Sequence, residues 1–113
     1  MITYIDNTHN EPFKDAVERV KLLTRKPEDK ELLILYGLYK QALHGNNISP
    51  KPGLFNITER SKWYAWEDNK LMTRDTAHQK YIEFVKFLVD KYGLQEPKTL
   101  SNSNSAALVK DII

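Results

Sequence analysis

An aromatic and cationic cluster lies at helical spacing in the stretch LYGLYKQALHG, residues 35–45. Tyr36, Tyr39 and Lys40 are three and four residues apart, so a helix places them on one flank. Lysine suits phosphate as a point charge, and tyrosine can stack on a base or donate a hydrogen bond. The trio therefore raises the question of whether this flank of the helix binds an anionic ligand.

The helix that carries this trio has apolar residues on two sides. One stripe, which the pattern assigns to the core, consists of Leu35, Leu38 and Ala42. A second stripe, facing away from the first, consists of Leu32, Leu33, Tyr36, Tyr39 and Leu43. The polar sector between them is narrow: Lys30, Gly37, Gln41 and His44. The second stripe faces either a ligand with a long apolar part or more of the core, and in the second case Lys40 simply extends into water.

Composition narrows the class of protein. The 113 residues are enough for one domain with a modest core, and a net charge of +2 is too small to argue for nucleic acid. The absence of cysteine excludes disulfides and thiol catalysis. The sequence has no secretory signal and no apolar run long enough to cross a bilayer, so we expect a cytoplasmic protein without stable membrane insertion.

Hydrophobic periodicity predicts four helices and no strands. The first is expected from about Glu11 to Leu23 with Asn10 as its N-cap, and the second from Pro27 or Glu28 to Gly45. The third is expected from Glu59 to about Asn69 after a Thr58 cap, with Trp63 and Trp66 in the core. The fourth is expected from a Thr73 cap to Tyr92, ending at Gly93.

The predicted domain organisation has three parts: a lead-in over residues 1–10, a helical domain over 11–93 and a flexible tail over 94–113. The tail holds a short run of branched aliphatics, and we hypothesise that it docks transiently on the apolar surface of the second helix. His9, His44 and His78 lack the spacing of metal ligands, so no metal site is predicted.

Four blocks in fixed order, YGLYKQALHG, PKPGLF, RSKWYAW and HQKYIEFVKFLVDKYG, resemble the acyl-CoA-binding protein family. The resemblance extends from about Glu11 to Gly93 without a gap. It implies an all-α fold, an antiparallel up-down-down-up four-helix bundle, whose ligand is acyl-CoA and which uses no cofactor.

The resemblance also implies roles for individual residues. The predicted acyl-CoA-binding residues are Lys21, Tyr36, Tyr39, Lys40, Lys62 and Tyr81. Among them, Tyr36, Lys40 and Lys62 resemble the group around the ribose 3′-phosphate, and Tyr39 resembles an adenine contact. The predicted acyl-chain environment is Phe13, Leu32 and Leu33. The sequence departs from the family at Leu43, Asn46 and Leu71, where Thr, Asp and Gly are usual, and we expect local backbone adjustment there.

Three functions are compatible with these residues. The first is a non-enzymatic, monomeric carrier of medium- to long-chain acyl-CoA that exchanges its ligand with acyl-CoA-using enzymes. The second is an adaptor that uses the same helices for protein contacts, although an adaptor would not need the full set of lysines and tyrosines. The third is an enzyme of acyl-CoA metabolism, which no nucleophile and base pair supports. The carrier is the function we expect, and no catalytic residue is assigned.

Overall fold

The structure, a computed structural model, describes the backbone of residues 2–95 and the side chains of residues 11–95. It contains four helices, α1 (Ile2–Val20), α2 (Asp29–His44), α3 (Ile57–Glu67) and α4 (Arg74–Tyr92). Within this part of the chain, β pairing is limited to one isolated antiparallel bridge between Leu23 and Leu94. The prediction of an all-α chain is therefore confirmed. No helix among these residues is both long and apolar enough to cross a membrane.

The described residues form two compact units. The first contains residues 2–26 and 82–95, and its buried apolar side chains are Phe13, Ala16, Val20, Leu23, Val85 and Leu88. Gln95 belongs to this unit, and its backbone N–H donates a 2.9 Å hydrogen bond to the carbonyl of Leu22. The first two residues of the predicted tail are thus paired with the turn after α1. Residues 96–113, which carry the hypothesis of a docking tail, lie outside the described residues.

The second unit contains residues 27–81, that is α2, α3 and the first two turns of α4. Its buried apolar side chains are Leu35, Leu38, Ala42, Ala77 and Tyr81. The stripe of Leu35, Leu38 and Ala42, predicted as the core face of α2, is accordingly buried. The second stripe of α2 is half-buried, apart from Leu43, which is exposed.

Local hydrogen bonds explain the ends of α2. The backbone N–H of Glu28 donates to Oε1 of Glu31 at 2.9 Å, which satisfies a donor that the first turn leaves without an intrahelical partner. Gly45 follows the last turn with φ at +79°, a conformation that costs glycine little, and its N–H donates to the Gln41 carbonyl. The predicted bounds of α2 are confirmed.

The ends of α4 were also predicted correctly. Thr73 caps the helix, because its Oγ1 accepts a 3.1 Å hydrogen bond from the backbone N–H of Thr76. Gly93 ends the helix with φ at +83°.

The predicted starts of α1 and α3 are wrong. Helix α1 begins at Ile2, so Asn10 lies inside it and is not a cap. Pro12 would fall in the first turn of a helix that began at Glu11, where proline is tolerated. It lies instead inside α1, at the cost of one backbone hydrogen bond. Helix α3 begins at Ile57 after Asn56, whose carbonyl accepts the first hydrogen bond from Arg60 N–H at 2.9 Å, so Thr58 is a helical residue.

Helices α2 and α3 approach each other closely at Gly37. A Cβ on Gly37 would be 2.8 Å from the carbonyl carbon of Ala65 and nearer still to its oxygen, so only glycine permits this approach. Gln41, one turn further, is fully buried, and its Nε2 donates to Asn46 Oδ1 at 3.0 Å and to the Met72 carbonyl at 2.7 Å. The sequence places Gly37 and Gln41 in the narrow polar sector of α2, yet both are buried. Gly37 packs against Ala65 of α3, and Gln41 bonds to Asn46 and to the Met72 carbonyl.

Two of the departures from the family pattern meet at the start of α4. Leu71 adopts φ of +75°, and its N–H donates to Oδ1 of Asn46 at 2.8 Å. The backbone at position 71 therefore has the left-handed conformation that suits glycine, although the residue is leucine. The expected local adjustment of the backbone does not remove this conformation. Asn46 supplies the same kind of oxygen acceptor that an aspartate would, which explains why this exchange is tolerated.

We predict that Gly37→Ala lowers the free energy of unfolding by about 1–3 kcal/mol, because the new methyl group meets backbone that cannot swing away. Gly53→Ala is the matched control, since nothing lies within 4 Å of a Cβ there, and it should change stability by less than about 0.5 kcal/mol. Urea unfolding followed by circular dichroism measures both. Equal stability of the two variants would contradict the close approach of α2 and α3.

We also predict that Leu71→Gly stabilises the protein. Left-handed backbone costs a residue with a Cβ roughly 1–2 kcal/mol, whereas glycine adds about 0.4–1 kcal/mol of unfolded-chain entropy, which leaves a net gain of about 0.5–1 kcal/mol. Leu54→Gly, at an exposed leucine without positive φ, should instead destabilise. If both glycine variants lose stability in the same urea experiment, the strain at Leu71 is absent.

Candidate ligand-binding site

Two lysines from different helices converge on one aromatic ring. The Nζ atom of Lys40 on α2 lies 5.9 Å from the Tyr36 ring centroid, and that of Lys62 on α3 lies 5.1 Å from it. We call Lys40 and Lys62 the lysine pair. Each is half-buried, and both ammonium groups are attracted to the face of an electron-rich ring.

The lysine pair has little acidic compensation. Lys62 reaches Glu59 at 4.0 Å, the outer limit of an ion pair, and within the part of the chain whose side chains are described Lys40 forms none. Two cations beside one ring repel each other, and at a half-buried site water screens this repulsion only in part. An anion placed between them would remove the repulsion and gain two charge-assisted contacts.

Trp66 forms the second wall of this cluster. Lys40 Nζ lies 4.9 Å from the Trp66 ring, and Trp66 Nε1 donates to the Gly45 carbonyl at 2.8 Å. Trp63 Nε1 similarly donates to the Ser49 carbonyl at 2.9 Å, so both indoles fix the loop that follows α2. The prediction that the tryptophans belong to the core is wrong, because α3 contains no buried residue and both rings are half-buried.

Tyr39 on α2 contacts Tyr81 on α4. Their ring centroids are 6.2 Å apart at an angle of 50°. Tyr81 is fully buried, and this burial, with a smaller contribution from Tyr39, raises the pKa of its hydroxyl well above the ordinary value. The hydroxyl therefore stays protonated, and contact between Tyr81 and a ligand requires a local rearrangement. Burial also raises the pKa of Tyr36, with Glu59 adding to the shift.

An apolar groove lies between α2, α3 and the start of α4. Its volume is about 680 Å³, and its apolar lining includes Leu33, Ile34, Leu38 and Met72. Ser61 and Lys80 supply polar groups at its wall. Leu32 and Leu33, both predicted to contact an acyl chain, are half-buried on α2. Leu33 lines the groove, whose volume is typical for ligands.

Two of the predicted site residues belong to the first unit. Lys21 follows α1 and pairs with Glu18 at 3.2 Å, while Phe13 is buried on α1. The other seven predicted residues lie in the second unit, and the structure brings Tyr36, Lys40 and Lys62 together there. Their assignment to particular parts of a ligand stays a prediction.

The sequence did not identify every residue of this region. Trp66 was missed because two tryptophans three residues apart resemble a core stripe. Lys51 was missed because it lies in an irregular loop, yet its Nζ is 5.5 Å from the Trp63 ring and 5.1 Å from the Tyr64 ring. Among the described residues, no three His, Cys, Asp or Glu side chains form a group that could hold a metal ion.

The lysine pair, the tyrosines and the neighbouring groove all lie inside a region that matches a known family model. That model, Acyl CoA binding protein, covers residues 10–85. The chain belongs to the acyl-CoA-binding protein family.

Named relatives agree with this membership. The chain is 47% identical over 84 residues to an acyl-CoA-binding protein homolog of Drosophila melanogaster, which covers 74% of this chain and 98% of that protein. It is 45% identical over 81 residues to the acyl-CoA-binding protein of Saccharomyces cerevisiae, which covers 72% of this chain and 93% of the relative.

Solved structures agree as well. A crystal structure of Oryza sativa acyl-CoA-binding protein 2 matches with a TM-score of 0.70 at 36% identity, over 74% of this chain and 92% of that one. A solution structure of the yeast acyl coenzyme A binding protein matches with a TM-score of 0.60 at 43% identity, over 74% of this chain and 98% of that one. The predicted fold class, an all-α four-helix bundle, is thereby confirmed.

Proposed function

We propose that this protein binds medium- to long-chain acyl-CoA thioesters and carries them, without catalysing a reaction. The observation that supports this most strongly is the lysine pair on the Tyr36 ring, since two poorly compensated cations half-buried beside aromatic rings form an anion site. Family membership supports the choice of acyl-CoA among possible anions.

The coenzyme A head group matches the chemistry of this cluster. It carries about four negative charges when its phosphates are fully ionised. In our proposal the ribose 3′-phosphate lies between Lys40 and Lys62 and against the Tyr36 hydroxyl. The adenine ring contacts Tyr39, whose face is supported from below by buried Tyr81. Lys21 provides a further contact to the head group.

The acyl chain requires apolar surface that water covers in the free protein. Leu32 and Leu33 lie on the same half of α2 as Tyr36 and Lys40, and Leu33 also lines the groove between α2 and α3. We propose that the acyl chain follows this apolar surface, with Phe13 as part of its environment. Burial of the chain and thioester would protect both from water.

A carrier role makes this protein an intermediary. It would hold acyl-CoA in the cytoplasm as a monomer, without a cofactor, and exchange it with enzymes that form or consume acyl-CoA. Binding alone accounts for all of the proposed site residues, so none of them needs a catalytic role.

We predict that affinity rises steeply with acyl length. Each buried methylene contributes about 0.8 kcal/mol, so four more carbons should tighten binding by roughly two orders of magnitude until the apolar surface is full. Calorimetric titration with a series of acyl-CoAs, and with free coenzyme A as the reference, measures this. Equal affinity for coenzyme A and a long-chain acyl-CoA would exclude the carrier function.

We predict that Lys40→Ala weakens acyl-CoA binding by about 1.5–3 kcal/mol, roughly ten- to a hundredfold in Kd, while folding stays nearly unchanged. The variant should also lose most of its preference for acyl-CoA over the 3′-dephospho form. Lys30→Ala is the matched control, because Lys30 lies on the same helix and its side chain is 80% exposed. If Lys40→Ala retains the preference for the 3′-phosphate, that phosphate does not bind at the lysine pair.

A further inference from the structure

The loop between α2 and α3, together with the first residue of α3, exposes large apolar side chains within a few residues of each other. Ile48 and Phe55 are 93% and 96% exposed, and Leu54 and Ile57 are each 73% exposed. Single exposed apolar residues are ordinary on protein surfaces, but four large, strongly exposed ones within ten residues are unusual, and exposed apolar groups of this kind often mark interaction sites.

Leu54 and Phe55 occupy the tip of a turn. The backbone N–H of Asn56 donates to the Gly53 carbonyl at 3.1 Å, so Leu54 and Phe55 are the two central residues of a four-residue turn. Gly, Asn, Asp, Ser and Pro dominate such positions, because their backbone preferences and polar side chains suit a water-exposed turn. Two bulky apolar residues at these central positions do not stabilise the turn, which indicates that they contact another molecule.

Hydrogen bonds from α3 side chains hold the backbone of this loop in place. Trp63 Nε1 donates to the Ser49 carbonyl at 2.9 Å, and Arg60 donates to the Pro52 carbonyl at 2.8 Å. Asn47 is buried, and its Oδ1 accepts a 2.9 Å hydrogen bond from Ser49 N–H. The residues on both sides of the apolar tip are therefore ordered while the tip itself is exposed to water. Little conformational entropy is lost when such a tip binds a partner.

Cations flank this tip. Lys51 lies over the rings of Trp63 and Tyr64, and Arg60 lies over Tyr64 at 5.8 Å. The two cations lower the pKa of the Tyr64 hydroxyl, chiefly through its hydrogen bond to Lys51. An exposed apolar tip with aromatic rings and basic groups next to it matches a membrane surface, where acyl chains lie below anionic headgroups.

We propose that the loop tip, Leu54 and Phe55 with Lys51 and Arg60 at its base, docks the protein reversibly on membrane surfaces that contain anionic lipid. A lipid surface fits better than a protein partner, because the tip offers only the two central side chains of one turn, whereas stable protein interfaces bury roughly 800 Å² on each side. Two or three apolar side chains and two cations give weak, reversible association. The inference stands independently of acyl-CoA binding, since it uses none of the proposed ligand contacts.

The test is sedimentation of the ligand-free, full-length chain with vesicles, some of phosphatidylcholine alone and some with 30% phosphatidylserine. The wild type should partition onto the anionic vesicles. The double variant Leu54→Asn/Phe55→Ser should bind at least tenfold more weakly, since it removes two apolar side chains from the lipid. Lys51→Ala should weaken binding several-fold on anionic vesicles only.

The matched control is Leu22→Asn/Phe87→Ser, which makes the same exchange at residues that are 44% and 50% exposed on the other unit. It should bind like the wild type. Circular dichroism confirms that each variant is folded, and the single variant Phe55→Ser replaces the double one if that is unfolded. The proposal is overturned if the wild type ignores anionic vesicles, which would favour a protein partner for the tip, or if both double variants lose binding equally.

Discussion

The approach of α2 to α3 at Gly37 is the constraint on which the site depends. Because no Cβ stands between the helices, Ala65 lies against the backbone of α2, and the lysine of α3 reaches the same tyrosine ring as the lysine of α2. Buried Gln41 extends this contact toward the start of α4 through its hydrogen bonds to Asn46 and the Met72 carbonyl. A larger residue at position 37 would separate the helices and the two cations with them.

Because of this contact, two sides of α3 face different parts of the candidate site. One face carries Lys62 and Trp66 toward α2 and also holds the following loop through indole hydrogen bonds. The other face, with Ser61 and Ala65, lines the apolar groove. Helix α3 is short and contains no buried residue, so its position is fixed by contacts with the neighbouring helix and loop. The lysine pair and the apolar groove therefore lie on neighbouring sides of one short helix, an arrangement that suits the amphipathic ligand we propose.

Much of this arrangement could be predicted from the sequence, and the failures have physical reasons. The caps of α2 and α4 were predictable because glutamate, threonine and glycine act there through local hydrogen bonds and backbone conformation. Gly37 and Gln41 were assigned to the polar sector of α2, although both are buried, because a helical wheel sorts residues only by their polarity. The value of Gly37 lies in its missing Cβ, and Gln41 is buried because remote residues accept its hydrogen bonds. The start of α1 was missed because Pro12 is equally compatible with a first turn.

The most direct test of the central claim, that acyl-CoA binds at the lysine pair, is a titration of the ¹⁵N-labelled protein with a long-chain acyl-CoA, followed by two-dimensional NMR. If acyl-CoA binds at the lysine pair, the largest shift changes will fall on the amides around Tyr36, Lys40 and Lys62, and they will saturate together with the changes at Leu33. Binding whose shift changes leave these residues untouched would contradict this claim.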